Sequence, residues 1–175
     1  MRQTISNFVG MLMLTLFCGS ASAWGPVKPK VDFSKAAVIL PFESTVTAAA
    51  ASGLSEATRT AVIAYMKEAG MFSAVLTPEE AKDKDKAALV EISAKLTDFG
   101  GGNMAARVMV GMGSGRAHAG YDFTIKDSAT GNVIWEQRIK GVASVWSNSA
   151  SSSAQRMELP ERVAKSLVTT LKKSK

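Results

Sequence analysis

The strongest constraint on the fold is an alternation of apolar and polar residues within the segment 88–99, ALVEISAKLTDF. Its apolar positions are Val90, Ile92, Ala94 and Leu96, and its polar positions are Glu91, Ser93, Lys95 and Thr97. Successive side chains of a strand point to opposite faces of a sheet. The segment therefore predicts a strand with one buried face and one solvated face.

The first half of the chain carries the pattern of a β-α-β unit. The run AAVILPF at 36–42 is continuously apolar, which is typical of a strand covered on both faces. A helix is predicted over 54–69, with Gly70 as its left-handed stop and the strand FSAVL after it. Its apolar face is expected to hold Leu54, Ala57, Ala61, Tyr65, Met66 and Ala69.

The second half predicts a β-hairpin and a closing helix. In YDFTIKDSATGNVIWEQRIKG, two strand-like runs flank a turn in which Asp127 bonds forward and Gly131 takes positive φ. Residues 144–153 are rich in serine, which favours a loop or, alternatively, the start of a helix. The helix beyond them is expected to have Pro160 in its first turn. Its apolar positions are Val163, Ala164, Leu167, Val168 and Leu171.

A chain of 175 residues that is 46% hydrophobic is sufficient for one ordinary domain. We expect residues 36–175 to form a single envelope domain with an α/β (α+β) two-layer sandwich. Its sheet is mixed and mostly antiparallel, with about five or six strands and two main helices on one face. The other face of the sheet is polar and open.

Residues 1–23 have the pattern of a secretory signal peptide, with Arg2, an apolar core and a cleavage site between Ala23 and Trp24. The apolar core is too short to be a membrane anchor. Lipidation of Cys18 is the alternative, although Phe17 does not fit a lipoprotein signal. Residues 24–35 then form an extended, proline-containing leader.

Export and cleavage have consequences for the mature chain. It would hold no cysteine, since Cys18 is the only one in the sequence, and so neither a disulfide nor a thiol nucleophile. No further segment predicts a transmembrane helix. The formal net charge of +6 favours good solubility or contact with anionic envelope surfaces.

The most unusual segment is VMVGMGSGRAHAG at 108–120, with glycines at Gly111, Gly113 and Gly115. Even positions are apolar before the glycines and odd positions are apolar or small after them. This change of phase predicts a bulge or tight turn near 111–115. Gly113 and Gly115 are then expected on the core side, in a flat lane that a helix or an aromatic ring can approach closely.

Three sharper interpretations of these glycines are disfavoured. A P-loop requires Lys and then Ser or Thr after its last glycine, and Arg116 stands there instead. A dinucleotide fingerprint opens a helix, whereas strand-like residues follow here. A membrane G-x-x-x-G helix is disfavoured by the charged residues Arg107 and Arg116 within the same segment.

The polar side of the strand that follows is the predicted binding surface. It carries Ser114, Arg116, His118, Asp122, Thr124 and Lys126. Candidate contacts are Arg107, Arg116, His118 and Asp122. The lysines of the chain are scattered rather than interleaved with exposed aromatics, which argues against nucleic acid as a partner.

The sequence contains no recognised catalytic motif. One histidine cannot make a zinc motif such as H-E-x-x-H, so no metal or cofactor is expected. Ser114 lacks a G-x-S-x-G context. A pair among the carboxylates of Glu91, Asp98 and Asp122 remains open for glycoside hydrolysis. Each is more simply a polar residue on the wet face of a strand.

Several segments, in this order, resemble a bacterial envelope family classed as a domain of unknown function, DUF4410. They are VILPFE at 38–43, AGMF at 69–72, LTDFGGGNMAARVMVGMGSGRA at 96–117 and DSATGNVIW at 127–135. The first is also distantly similar to periplasmic domains of curli-secretion and peptidoglycan-synthase-activator lipoproteins. The resemblance gives weight to Asn103, Arg107, Gly111, Gly113 and Gly115 as pattern positions.

The resemblance implies a non-catalytic periplasmic protein. Many members of the family look like lipoproteins, so the resemblance also implies an association with the outer membrane. Its expected partner is an envelope protein, peptidoglycan or an outer-membrane component, bound through the open sheet face or an edge strand. Two alternatives stand beside it. One is a subunit of an outer-membrane-associated oligomeric secretion or assembly complex, and the other is a hydrolase of an envelope polymer.

Overall fold

The structure, a computed structural model, describes residues 31–103, 115–144 and 152–174. Several predicted features lie outside these residues: the signal peptide with Cys18, Ala23 and Trp24, most of the leader, Arg107, Gly111 and Gly113.

Within these described ranges, six strands form one mixed sheet. They are β1 (Ala36–Ile39), β2 (Glu43–Ser44), β3 (Val75–Leu76), β4 (Leu89–Gly100), β5 (His118–Asp127) and β6 (Val133–Val142). The strand order is β3-β1-β4-β5-β6, and β2 continues beside β4 beyond the end of β1. The three long strands β4, β5 and β6 pair antiparallel with their neighbours in this group. Strand β1 pairs in parallel with both β3 and β4, and β2 pairs in parallel with β4. The predicted mixed sheet is confirmed.

Two long helices cover one face of this sheet. Helix α1 (Leu54–Ala69) ends at Gly70, which has φ 55°, as the sequence predicts. The short helix α2 (Pro78–Ala81) starts with a Thr77 capping box. Helix α3 (Ser152–Lys172) packs on α1, β5 and β6. With α1 and α3 in one layer and the sheet in the other, the predicted two-layer sandwich is confirmed.

Strand β1 is buried on both faces, as its continuous apolar run indicates. Ala37 and Ile39 belong to the main core under α1 and α3. Ala36 and Val38 belong to a smaller cluster with Ala81 of α2. The short helix α2 therefore covers the sheet at β1 and β3 on the face opposite the main core.

The alternation in β4 is confirmed by burial, because its four predicted core residues are at most 5% exposed. A β-bulge then breaks the register between Leu96 and Asp98. Thr97 lies on the open face, and the bulge brings the adjacent Asp98 there too, whereas Phe99 packs against the core. The bulge therefore gives the open face two consecutive polar residues.

The buried face of α1 differs from the predicted one. Leu54, Thr58, Val62 and Met66 are buried, whereas the predicted core residue Ala57 is exposed. The prediction fails here because Thr58 counts as polar in a pattern of hydropathy. Its hydroxyl lies 3.0 Å from the hydroxyl of Tyr121 in the core, so burial leaves it hydrogen-bonded.

The position of Pro160 corrects a second expectation. Helix α3 begins at Ser152, so Pro160 lies in its interior and not in its first turn. Proline lacks the N–H that would bond the carbonyl of Arg156, which costs helix stability. The fully buried side chains of Leu159 and Val163 on either side hold this part of the helix against the sheet.

The packed part of the chain begins before residue 36. Val31 is only 9% exposed and belongs to the main core. The ring of Phe33 lies 5.1 Å from that of Phe72, centroid to centroid. Lys35 forms an ion pair with Asp127 at the β5–β6 turn. The last residues of the predicted leader therefore pack against the domain.

Candidate functional site

The face of β4, β5 and β6 turned away from α1 and α3 is a polar surface, here called the open face. Its charged residues are Glu91, Lys95, Asp98, Asp122, Lys126, Glu136, Arg138 and Lys140. Ser93, Thr97, His118 and Thr124 complete it. Four acidic and four basic residues balance one another, so the surface carries hydrogen-bonding groups without a large net charge.

Asp122 is at the centre of one ion-pair cluster. Arg138 lies directly opposite it on β6 and binds it with two nitrogens, at 2.6 Å from Nε and 3.0 Å from Nη2. The Thr97 hydroxyl donates to the same carboxylate at 3.2 Å. The bonds from Arg138 are the main cause that lowers the pKa of Asp122, which is thus held ionised.

Asp98 is at the centre of a second cluster. Lys140 Nζ lies 3.1 Å from its Oδ2, and His118 Nε2 lies 3.3 Å from its Oδ1. The hydrogen bond from Lys140 is the main cause that lowers the pKa of Asp98. The structure therefore places His118, a predicted contact, beside an acidic residue that the sequence analysis considered only as a hydrolytic candidate.

Two glycines make room for the second cluster. A Cβ on Gly100 would lie 2.8 Å from Nδ1 of His118, so the imidazole lies directly over this glycine. A Cβ on Gly120 would lie 3.0 Å from the Cβ of Asp98. A side chain at either position would displace the ring or the carboxylate, so the absence of Cβ atoms shapes this part of the surface.

Arg116 lies between Gly115 and the start of β5 and is partly buried. Gly115 has φ 66°, and its carbonyl accepts from the backbone N–H of Asn103 at 2.8 Å. Two residues after Gly115, the backbone N–H of Ala117 donates to Oε1 of Gln155 on α3 at 3.2 Å. The structure thus places His118 and Asp122 in the open-face clusters, and it places Arg116 two residues before His118 at the start of β5.

A shallow depression of about 610 Å³ lies on the open face beside β2. It is lined by Leu40, Pro41, Glu43, Ser93, Ala94, Lys95, Asp122, Thr124 and Glu136. Thr124 is one of its lining residues, with Ser93 and Glu136 directly opposite it on the two neighbouring strands. The depression is a place where a partner group can lie against the sheet.

Two of the candidate hydrolytic carboxylates, Asp98 and Asp122, do not have the electrostatics of a glycosidase general acid. Glycoside hydrolysis requires one carboxyl with a raised pKa to act as general acid. The pKa values of Asp98 and Asp122 are both lowered by cationic partners. Among residues 31–103, 115–144 and 152–174, no group of three or more His, Cys, Asp or Glu side chains is placed to hold a metal ion.

Sequence reasoning placed Thr97 on the polar side of its strand but did not find its bond to Asp122, and it missed Arg138 and Lys140. The bulge that brings Asp98 beside Thr97 on the open face has no signature in the sequence. The sequence did contain a signal for Arg138 as the partner of Asp122. The predicted turn at 127–132 places residue 138 near residue 122 across the hairpin. A register assigned to that hairpin would have found the ion pair.

Within the described ranges, no helix has the length and apolar character needed to cross a membrane. This applies to α3, the longest of them, which carries charged residues along its length.

The fold is shared with solved structures of low sequence identity. One is described as a PelC dodecamer from Paraburkholderia phytofirmans, with a TM-score of 0.52, 14% identity, and coverage of 77% of this chain and 89% of that one. Another is protein XCC0632 of the DUF330 family from Xanthomonas campestris, with a TM-score of 0.54, 12% identity, and coverage of 85% and 91%. These similarities show a common fold.

No curated protein matches the chain in sequence. A family model described as a domain of unknown function, DUF4410, matches residues 39–141, which is more than half of the chain. The resemblance predicted from the order of the sequence motifs is thereby confirmed, and the chain belongs to the DUF4410 family.

Proposed function

We propose that this protein is a non-catalytic component of the bacterial envelope that binds an envelope partner through its open face. The observation that carries the proposal is the exposure of this face: among the described helices, α1 and α3 cover one side of the long strands, and α2 covers the other side only at β1 and β3. Three long strands therefore present a preformed polar surface to solvent. A partner can bind such a surface with little rearrangement.

The charge balance of the open face defines the kind of partner. Its four acidic residues balance the charge of its four basic ones. The carboxylates of Asp122 and Asp98 are already bound to Arg138 and Lys140. Polyanions are held mainly by unpaired basic residues, so nucleic acid does not suit this surface. A partner rich in neutral hydrogen-bonding groups, such as glycan or a polar protein surface, suits it better.

Placement in the periplasm rests on the signal-peptide pattern of residues 1–23. The lipoprotein alternative at Cys18 would tether the same domain to the outer membrane. Both arrangements leave the open face available to an envelope partner, so the proposed function does not depend on which one holds.

Sedimentation with purified peptidoglycan sacculi and with outer-membrane vesicles tests the proposal. Thr124→Trp places a large side chain at the centre of the open face, whereas Thr60→Trp is a matched change at an exposed position of α1. We expect the wild-type protein and T60W to bind one of the two fractions and T124W to lose binding. Equal binding by both variants would show that another surface is used.

A second candidate function is supported by a specific observation. A protein with this fold is described as a PelC dodecamer, so the fold is compatible with a closed oligomer. We propose as the second candidate that this chain is a subunit of an oligomeric envelope assembly. Light scattering of the purified protein tests it, since a discrete mass above that of the monomer is expected and a monomer at all concentrations would exclude it.

A further inference from the structure

Strand β6 forms a long edge of the sheet. It is ten residues long, and within the described part of the chain it pairs only with β5. The opposite edge strand, β3, is only two residues long. Since a long edge strand presents unpaired backbone N–H and C=O groups, it can pair with a further strand.

The backbone groups that point away from β5 can be identified. The N–H of Ala143 donates to the carbonyl of Ala117 at 2.9 Å, and these two residues continue the β5–β6 register. That register is unbroken from Trp135 to Val142. Hydrogen bonding alternates along an antiparallel strand, so the odd residues of β6 bond to β5. The even residues, which include Glu136, Arg138 and Lys140, direct their N–H and C=O groups outward.

These three residues form a pattern that is complementary to itself. All three are exposed, and they are acidic, basic and basic along the strand. We propose that β6 pairs antiparallel with β6 of a second copy of this chain, in the register centred on Arg138. The proposal rests on the second candidate function, self-association, and names the surface that would carry it.

The register follows from charge. With Arg138 at the two-fold axis, Glu136 lies opposite Lys140 of the partner subunit, and symmetry repeats this pair. Opposite charges that face one another across a strand pair are favourable, and like charges are unfavourable. The two Arg138 side chains meet at the axis, but each is bound at 2.6 Å and 3.0 Å by Asp122 of its own chain, which offsets their repulsion.

Neighbouring registers are less favourable. A slip of one pair in one direction places Arg138 opposite Lys140 of the partner subunit, with like charges facing twice. A slip in the other direction faces Glu136 with Arg138 of the partner subunit twice, but Arg138 is already bound to Asp122 of its own chain. It also places Lys140 opposite Ile134 of the partner subunit, where the register of β6 with β5 shifts. The register centred on Arg138 keeps the charge pairs within the regular part of both strands.

Pairing in this register joins two six-stranded sheets into one. The even residues of β6 also have their side chains on the open face. The open faces of the two copies would therefore become one continuous polar surface, with the Asp122–Arg138 pairs of both chains at its centre.

Disulfide trapping tests the register in a chain in which Cys18, the only cysteine, is replaced by Ser. At the two-fold axis the Cα atoms of residue 138 would be about 5.5 Å apart, within the range of a disulfide. We expect Arg138→Cys to give a cross-linked dimer under mild oxidation. In the matched variants Glu136→Cys and Lys140→Cys the cysteines would lie about 13 Å apart and should not cross-link. Cross-linking at 136 or 140 instead of 138 would overturn the proposal.

Light scattering of Glu136→Pro tests the edge without a cysteine. The lost N–H is one that points outward, so the β5–β6 ladder is kept while pairing with a second copy is blocked. We expect the dissociation constant for self-association to rise at least about tenfold. The matched variant Glu136→Gln keeps the outward N–H and loses only the two charge pairs, so its dissociation constant should rise less, by about threefold.

Circular dichroism of both Glu136 variants is the control that checks whether they are folded. An oligomer that E136P leaves intact would contradict β6 pairing but leave the second candidate function standing. A wild-type protein that is monomeric at every concentration would contradict both.

Discussion

The backbone of α3 lies directly against Gly141 of β6: a Cβ at this position would be 2.9 Å from the backbone nitrogen of Val163. Sequence analysis expected the close helix approach at Gly113 and Gly115, because those glycines stand out in the sequence. Gly113 lies outside the described residues; within them, a close approach occurs at Gly141, next to the fully buried Ala119 on β5. The absence of a Cβ at Gly141 therefore allows α3 to lie close to the sheet.

We predict that Gly141→Ala destabilises the domain by about 1–3 kcal/mol, because α3 must move to admit the methyl group. The matched change Gly101→Ala places its Cβ no closer than 3.6 Å to neighbouring atoms and should have little effect. Urea unfolding of both variants measures the difference. Equal free energies of unfolding would show that α3 is not held close to the sheet.

The buried hydrogen bond between Thr58 and Tyr121 predicts a coupled effect. Its hydroxyl oxygens are 3.0 Å apart and both residues are fully buried. Tyr121→Phe should lower the free energy of unfolding by about 1 kcal/mol, because Thr58 loses its partner. Adding Thr58→Val removes the unsatisfied hydroxyl and should cost less than the two single changes together. Additive changes would show that the two hydroxyls do not interact.

We predict that the fold loses stability in acid because the pKa of Asp127 is lowered in the folded state. The hydrogen bond from Lys35, with further bonds from Thr130, lowers its pKa from 3.8 to about 2. A carboxyl with a lowered pKa in the folded state stabilises the fold above its unfolded pKa. This contribution is lost as the pH falls from 3.8 towards 2. The pKa values of Asp98 and Asp122 are lowered too, so they add a loss of the same sign.

The matched variant is Asp127→Asn, which cannot ionise. Its urea midpoint should fall less steeply than that of the wild type as the pH is lowered through this range. A pH dependence identical to that of the wild type would show that the Lys35–Asp127 pair does not stabilise the fold.

Gly100→Ala tests the packing of the His118 ring on β4. The added methyl group should displace the imidazole from Asp98, because the ring lies directly over Gly100. His118 is the only histidine in the chain, so its ring protons can be followed by NMR without overlap from another histidine. We expect their chemical shifts to change while the melting temperature changes by only about 1–2 °C, since the ring is partly exposed. Unchanged shifts would place the ring elsewhere.

The spacing of apolar residues in the sequence predicted those elements in which apolar residues are buried and polar residues are exposed. The helix at 54–69, the doubly buried β1 and the one-sided β4 all belong to this group. Thr58 and Pro160 broke the pattern, because a hydrogen bond inside the core and packing around a helix interior are tertiary effects. Neither is visible in a sequence taken one segment at a time.

Some residues of the candidate site could likewise be predicted from one segment of sequence, and others could not. His118 and Asp122 were found because strand parity places them on the polar face. Lys140 and Arg138 were not, because their roles depend on cross-strand register. The bulge at Leu96 to Asp98 could not have been predicted, since a bulge is set by the pairing of two strands and not by either strand alone.

The central claim is that the open face contacts an envelope partner, and photo-crosslinking in living cells tests it most directly. A photoreactive amino acid at position 124 would report contacts at the centre of the open face, and the same amino acid at position 60 would report contacts of α1. The account predicts a discrete cross-linked species in the envelope fraction from position 124 and none from position 60. Cross-links from position 60 alone would contradict it and would assign binding to the helix layer.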